Sequence, residues 1–265
     1  RSLWLRRCVV GALASCGWTL SIHPAALAEG APQPRIIHAL DNYPYHLRNE
    51  AWGGANVSLR QWSVYTGATY ALTGDIERSG WRLRSTGGYG RYTYRKWRHG
   101  PNRRRSERVN VKYAGRKYFS STLVGYQFQW HRASLKAFGG LSTERQIITP
   151  HDPDEAARVM SYGGKAALEA WLALSQGQWL ATTVAWASTK NTYKLSLQTG
   201  HTIRHDLDFG IEANLDGNNT YRAGRLGGFA TWRIGDAGLR IAAGAGIDRT
   251  LDTAAYGSVN LFLRY

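Results

Sequence analysis

Thirteen charged side chains fall, at two-residue spacing, on one face of the segments that carry them: Arg82, Arg84, Lys136, Lys165, Glu169, Lys194, Asp208, Glu212, Arg225, Arg233, Arg240, Asp248 and Arg264. Bases outnumber acids nine to four in this set. Gathered around one passage, such groups draw anionic solutes or saccharides. The plainer outcome is that they pair across a lumen and fill it. Tyr92, Tyr94, Trp171, Trp179 and Phe229 share those faces. Flat rings beside polar groups grip sugar faces by stacking and hydrogen bonding, and equally they pack a closed interior.

Hydrolytic chemistry finds less material. A nucleophilic serine needs a histidine base and an orienting acid within reach. His131, His201 and His205 lie at or near turns, and His99 and His151 in loops, with no serine and acid in matching register. G-x-S-x-G, H-E-x-x-H and a phosphate-binding glycine loop do not occur. The DPDE segment at 152–155 offers oxygens without calcium-loop spacing. We therefore expect no catalytic residue, metal or cofactor; an outer-membrane lipid or glucan hydrolase is the enzymatic alternative.

The elements that must position these side chains are strands. Val259, Leu261, Leu263 and Tyr265 alternate with Ser258, Asn260 and Arg264, and Leu207, Phe209, Ile211, Ala213 and Leu215 alternate with Asp208, Gly210, Glu212 and Asn214. Apolar and polar faces at period two describe a strand with lipid on one side and water on the other. The pattern recurs at 62–72, 80–97, 117–130, 135–148, 162–174, 178–188, 192–203, 221–234 and 238–248, with a short segment from Ala51. Residues 162–174 contain good helix formers, but the split of Ala166, Leu168, Ala170 and Leu172 against Lys165, Ala167, Glu169 and Trp171 is cleanly twofold.

Residues 98–108, with Pro101 and a cationic run, and 149–158, with Asp152, Asp154 and Glu155, read as long loops, whereas 175–177, 204–205 and 235–236 read as tight turns. About twelve strands, short turns on one rim and longer loops on the other predict an all-β, antiparallel, up-and-down transmembrane barrel of outer-membrane type. Trp52, Trp62, Trp81, Trp130, Trp186 and Trp232 are candidates for its interfacial girdles. With Tyr265 in the periplasm, the two long loops face the cell exterior.

Residues 1–28 combine Arg1, Arg6 and Arg7, an apolar run from Cys8 to Ile22 and Ala26-Leu27-Ala28, the organisation of a secretory signal. Leu13-Ala14-Ser15-Cys16 offers a competing lipoprotein box. Residues 29–49 read as an irregular lead-in and 50–265 as the barrel. Removing the signal removes both cysteines and leaves 31 basic residues against 18 acidic ones. Nucleic acid is the usual partner of such a balance, but export argues against it; outer-membrane lipid, lipopolysaccharide and acidic glycans are the anions available in an envelope.

The stretch WSVYTGATYALTGDIERSGWRLRSTGGYGRYTY (62–94) resembles the BcsS family of bacterial cellulose biosynthesis proteins, and GYQF (125–128), FGGLSTER (138–145) and GGKAALEAW (163–171) resemble it in the same order. The resemblance implies a role in cellulose synthesis or export, as conduit or accessory factor, with glucan and cellulose synthase subunits as partners. It brings no catalytic residues. Cellulose is neutral, so a cationic interior fits an anion-selective or acidic-oligosaccharide porin better, and that remains the alternative.

Overall fold

The computed structural model describes residues 47–58, 60–99, 108–152, 160–219, 222–248 and 253–265. The expected signal and most of the lead-in lie outside these residues, as do 100–107 and 153–159 of the two long loops. Among the described residues twelve strands follow one another: β1 (Asn49–Ser58), β2 (Gln61–Ala71), β3 (Gly80–His99), β4 (Arg108–Gln129), β5 (Ala133–Thr149), β6 (Met160–Ala173), β7 (Gln178–Ala187), β8 (Thr192–Arg204), β9 (Leu207–Gly217), β10 (Arg222–Ile234), β11 (Ala237–Asp248) and β12 (Thr253–Arg264). Each pairs antiparallel with its sequence neighbours, and β1 pairs with β12 to close the barrel. Closure leaves no open edge around the ring the twelve strands share, so the backbone donors and acceptors there are met within the sheet, the condition for crossing lipid with strands.

Alternation assigns the two surfaces. Trp62, Val64, Leu83, Val124, Leu168, Val184, Leu195, Ile211, Leu226, Ile241 and Leu261 are exposed around the outside, an apolar belt that only a lipid surround tolerates at this extent. The other parity points into the lumen, where Arg84, Leu123, Glu169, Trp179 and Asp208 are buried. Residues 162–173 are strand, as their period-two split requires.

One rim, called here the near rim, holds the start of β1 and the end of β12, together with the tight turns; Gly235, at φ 61°, opens the two-residue hairpin between β10 and β11. The eight residues between β2 and β3 break the expectation of short turns on this rim. They fold inward instead: the Ile76 amide donates to the Leu47 carbonyl at 2.8 Å, and the Ile76 side chain is buried. On the far rim β3, β4 and β5 rise above their neighbours, because β4 begins at Arg108 rather than at Lys117 as its sequence suggested. Trp62, Trp81, Trp130, Trp186 and Trp232 are outward and exposed as girdle residues should be. Trp52 is not. It shares the inward parity of Glu50, is buried, and lies against Gly67, its register partner on β2, where an added Cβ would meet the indole at 2.5 Å.

Candidate functional site

Twelve of the thirteen charged positions read from the sequence sit in strands with their side chains on the luminal face: Arg82, Arg84, Lys136, Lys165, Glu169, Lys194, Asp208, Glu212, Arg225, Arg233, Arg240 and Arg264. The side chain of Asp248 lies outside the described residues. They do not line an open cationic file. Acids not expected in the lumen join them: Glu50, Glu144 and Asp216 from strands, and Glu77 and Asp152 from turns. Strand parity alone, extended from Lys136 to Glu144 and from Asp208 to Asp216, would have found two of them.

At the near rim Arg264 donates from Nε to Glu50 at 3.1 Å and from Nη1 to Glu77 at 2.9 Å, which ties the β2–β3 turn over the mouth. Arg82 secures the same turn by donating to the carbonyls of Thr73, Asp75 and Arg78. Asp208 accepts from Arg233 at 2.6 Å and from the Thr202 hydroxyl at 2.7 Å. Deeper, Arg84 forms a two-pronged pair with Glu169, and Lys136 stands in the field of both Glu50 and Glu169. Glu212 accepts from Arg240 and from the Tyr256 hydroxyl. Toward the far rim Lys117 meets Glu144 at 3.0 Å, and Arg225 pairs with Asp216, whose register partner on β8 is Lys194.

The predicted luminal aromatics divide into two groups. Trp171, Trp179 and Phe229 pack with Ala242 in one buried cluster that joins β6 and β7 to β10 and β11 through the lumen; the Arg240 guanidinium lies 3.6 Å from the centre of the Phe229 ring. Opposite, Trp52, Tyr65 and Phe119 form a second cluster. Tyr92 and Tyr94 instead belong to a stack with Tyr113 at the far rim, ring centres 6.0 and 5.1 Å apart. Asp152 turns into this rim, where Tyr94 donates to it at 2.7 Å, Lys96 at 2.8 Å, and Arg98 pairs with its other oxygen. The solvated loop expected around 152–155 therefore starts with a fully buried carboxylate.

Between the stack and the core a half-enclosed polar pocket is lined by Lys117, Phe119, Ser121, Ser142, Glu144, Lys165, Thr189 and Thr192. Lys165 donates to the Ser121 hydroxyl at 3.3 Å, and the Ser142 and Thr189 hydroxyls are 3.4 Å apart. Glu144 Oε1 is buried with no donor among the described residues. A carboxylate oxygen, two ammonium groups and several hydroxyls border a space of only about 20 Å³, room for one water-sized polar group. Among the described residues no three His, Cys, Asp or Glu side chains stand together as metal ligands.

The family described as cellulose biosynthesis protein BcsS matches residues 51–265. The chain belongs to that family. In this BcsS-family barrel the segments 62–94, 125–128, 138–145 and 163–171 fall on the consecutive strands β2 to β6, one stretch of wall that carries Ser142, Glu144, Lys165 and Glu169. It is an outer-membrane-type barrel associated with cellulose biosynthesis. The transport unit of the autotransporter AIDA-I from Escherichia coli shares the fold, with a TM-score of 0.50 at 9% identity over 85% of this chain and 92% of that one. The β-domain of the Bordetella autotransporter BrkA gives 0.47 at 12% identity over 82% and 100% of the two chains. The KdgM porin gives 0.46 at 8% identity over 82% and 99%. No curated protein matches the chain.

Proposed function

We propose that the protein is a non-catalytic accessory barrel of cellulose production in the outer membrane, closed along its axis, which engages the glucan from its far rim. The observation that carries this reading is the crossing of the lumen by side chains: Trp179 of β7 reaches Phe229 of β10 with ring centres 5.7 Å apart, and Arg84 of β3 reaches Glu169 of β6. A conduit for a glucan, or a porin for acidic oligosaccharides, needs a continuous wet file. Here Arg84, Arg240 and Arg264 are each held by carboxylates in dry surroundings.

The apolar belt supports lodging in the outer membrane. The non-catalytic reading is supported by His131, His201 and His205, which are exposed at the near rim away from the polar pocket, while His151 is exposed at the far rim. That pocket admits at most a single hydroxyl of a glucan presented at the far rim. Glu144 Oε1 lacks a donor, a sugar hydroxyl is one, and Lys117 and Lys165 have donors suited to sugar oxygens.

Deletion of the gene should lower surface cellulose, wild-type protein should restore it, and Glu144→Gln with Lys165→Met should restore it poorly while still folding as a heat-modifiable barrel. The wild-type protein in planar bilayers should give no steady conductance. Unchanged glucan yield on deletion overturns the accessory role, and stable anion-selective steps overturn the closed lumen in favour of the porin.

A further inference from the structure

The outward face of the far rim carries five cations on three adjacent strands: Arg91 and Arg95 on β3, Lys112 and Arg116 on β4, and Arg145 on β5, all exposed. Their register is unfavourable. Arg91 stands directly across from Arg116 and Arg95 from Lys112, while Arg145 is the partner of Tyr118, two residues from Arg116. Like charges directly opposed on one face of a sheet destabilise it, and among the described residues no carboxylate pairs with any of the five. Water and salt screen that repulsion in part; an anion set between the strands turns it into attraction.

The height of the patch identifies the anion. Immediately below it on the same outer surface Trp62, Tyr89 and Tyr118 form a chain of edge and tilted ring contacts, with centres 5.3 and 5.0 Å apart. Aromatic rings of this kind mark the level of a membrane interface. A second set, Trp81, Tyr126, Phe128 and Trp130, lies on the near-rim side. From Trp81 to Arg91 is ten residues of β3, about 33 Å along the strand and, at a tilt of about 40°, about 25 Å of height, the depth of an outer-membrane apolar band. The cations therefore stand just above the hydrocarbon, where lipid headgroups lie.

We propose that this patch binds the phosphorylated headgroup of an outer-leaflet glycolipid of the lipid A type, its phosphates bridging the β3 and β4 cations and its acyl chains lying along the belt below Tyr89 and Tyr118. Arginine forks suit phosphate oxygens in bidentate geometry. The proposal does not depend on the glucan reading, because it uses the lipid-facing surface and no luminal residue.

The test is native mass spectrometry of the full chain in detergent, titrated with lipid A and with enzymatically dephosphorylated lipid A. Wild-type protein should bind lipid A at least ten-fold more tightly than the dephosphorylated form. Arg91→Gln with Arg116→Gln should lose at least ten-fold in lipid A affinity, while Arg132→Gln, an exposed cation at the near rim, should lose none. Equal binding of the two lipids overturns the proposal, and because that comparison uses only wild-type protein it stands even where the double variant folds poorly. Displacement of lipid A by millimolar inorganic phosphate also overturns it, since a simple anion site would then account for the patch.

Discussion

The Arg84 guanidinium on β3 and the Glu169 carboxylate on β6 meet above the two strands between them, with Nη2 3.0 Å from Oε2. The guanidinium carbon lies 4.0 Å from the centre of the Phe138 ring and 5.3 Å from that of Trp52. Residues of β1, β3, β5 and β6 thus converge on one buried charge. Removing one partner strands the other: Glu169→Gln should cost about 3–5 kcal/mol, whereas Arg84→Met with Glu169→Leu should cost much less. The temperature at which the folded gel band is lost measures both. Equal losses for the single and double variants would mean that the pair adds nothing beyond packing.

Trp179 lies on the glycine opposite it. Gly200 is its register partner, and a Cβ there would meet Trp179 Cζ2 at 2.4 Å. Similar pairings hold Tyr92 over Gly115 and Phe229 over Gly210, so a ring lies flat where a neighbouring side chain would have stood. Gly200→Val should overpack this contact and cost about 1–3 kcal/mol, with a red-shifted indole fluorescence as Trp179 is pushed from its dry site. An unshifted spectrum and unchanged stability would show that the ring moves aside freely.

Asp152 fastens the far-rim stack through Tyr94, Lys96 and Arg98. Its neutral amide counterpart keeps the shape and loses the charge. Asp152→Asn should therefore raise hydrogen exchange in the upper halves of β3 and β4 while leaving β7 to β12 as before, since the latter make none of these bonds. Charge-assisted bonds of this kind contribute about 1.5–3 kcal/mol each, enough to be read as a clear loss of protection.

The alternation of apolar and polar residues made the barrel legible, because lipid and lumen impose opposite demands on successive positions; Leu261 and Asn260 need no further information to be assigned. Parity also placed Arg84, Glu169 and Trp179 inside. It could not say that Arg84 and Glu169, 85 residues apart, would meet, since that depends on stagger and tilt around the whole ring. Trp52 was misread because tryptophan near a strand end suggests an interface, while its parity with Glu50 pointed inward. The outward cations Lys112 and Arg116 went unassigned because the chain before Lys117 carries no clear alternation, and the long upper parts of β3 and β4 are held by pairing with each other, which no single segment reveals.

The lumen charges decide little while the barrel is closed, and much once it is opened. Trp179→Ala with Phe229→Ala removes the ring contact joining β7 to β10 and frees the Arg240 guanidinium from the Phe229 face. Lys136 and Arg240 then border a wet gap in a lumen whose strand-borne bases Arg82, Arg84, Lys136, Lys165, Lys194, Arg225, Arg233, Arg240 and Arg264 outnumber the strand-borne acids Glu50, Glu144, Glu169, Asp208, Glu212 and Asp216. A pore so lined favours anions. The double variant should show brief anion-preferring openings in planar bilayers, where the wild-type barrel is silent. Silence from a correctly folded double variant would move the seal elsewhere, to the near-rim turn that Arg82 and Arg264 hold over the mouth, and Arg264→Ala in that background should then open it.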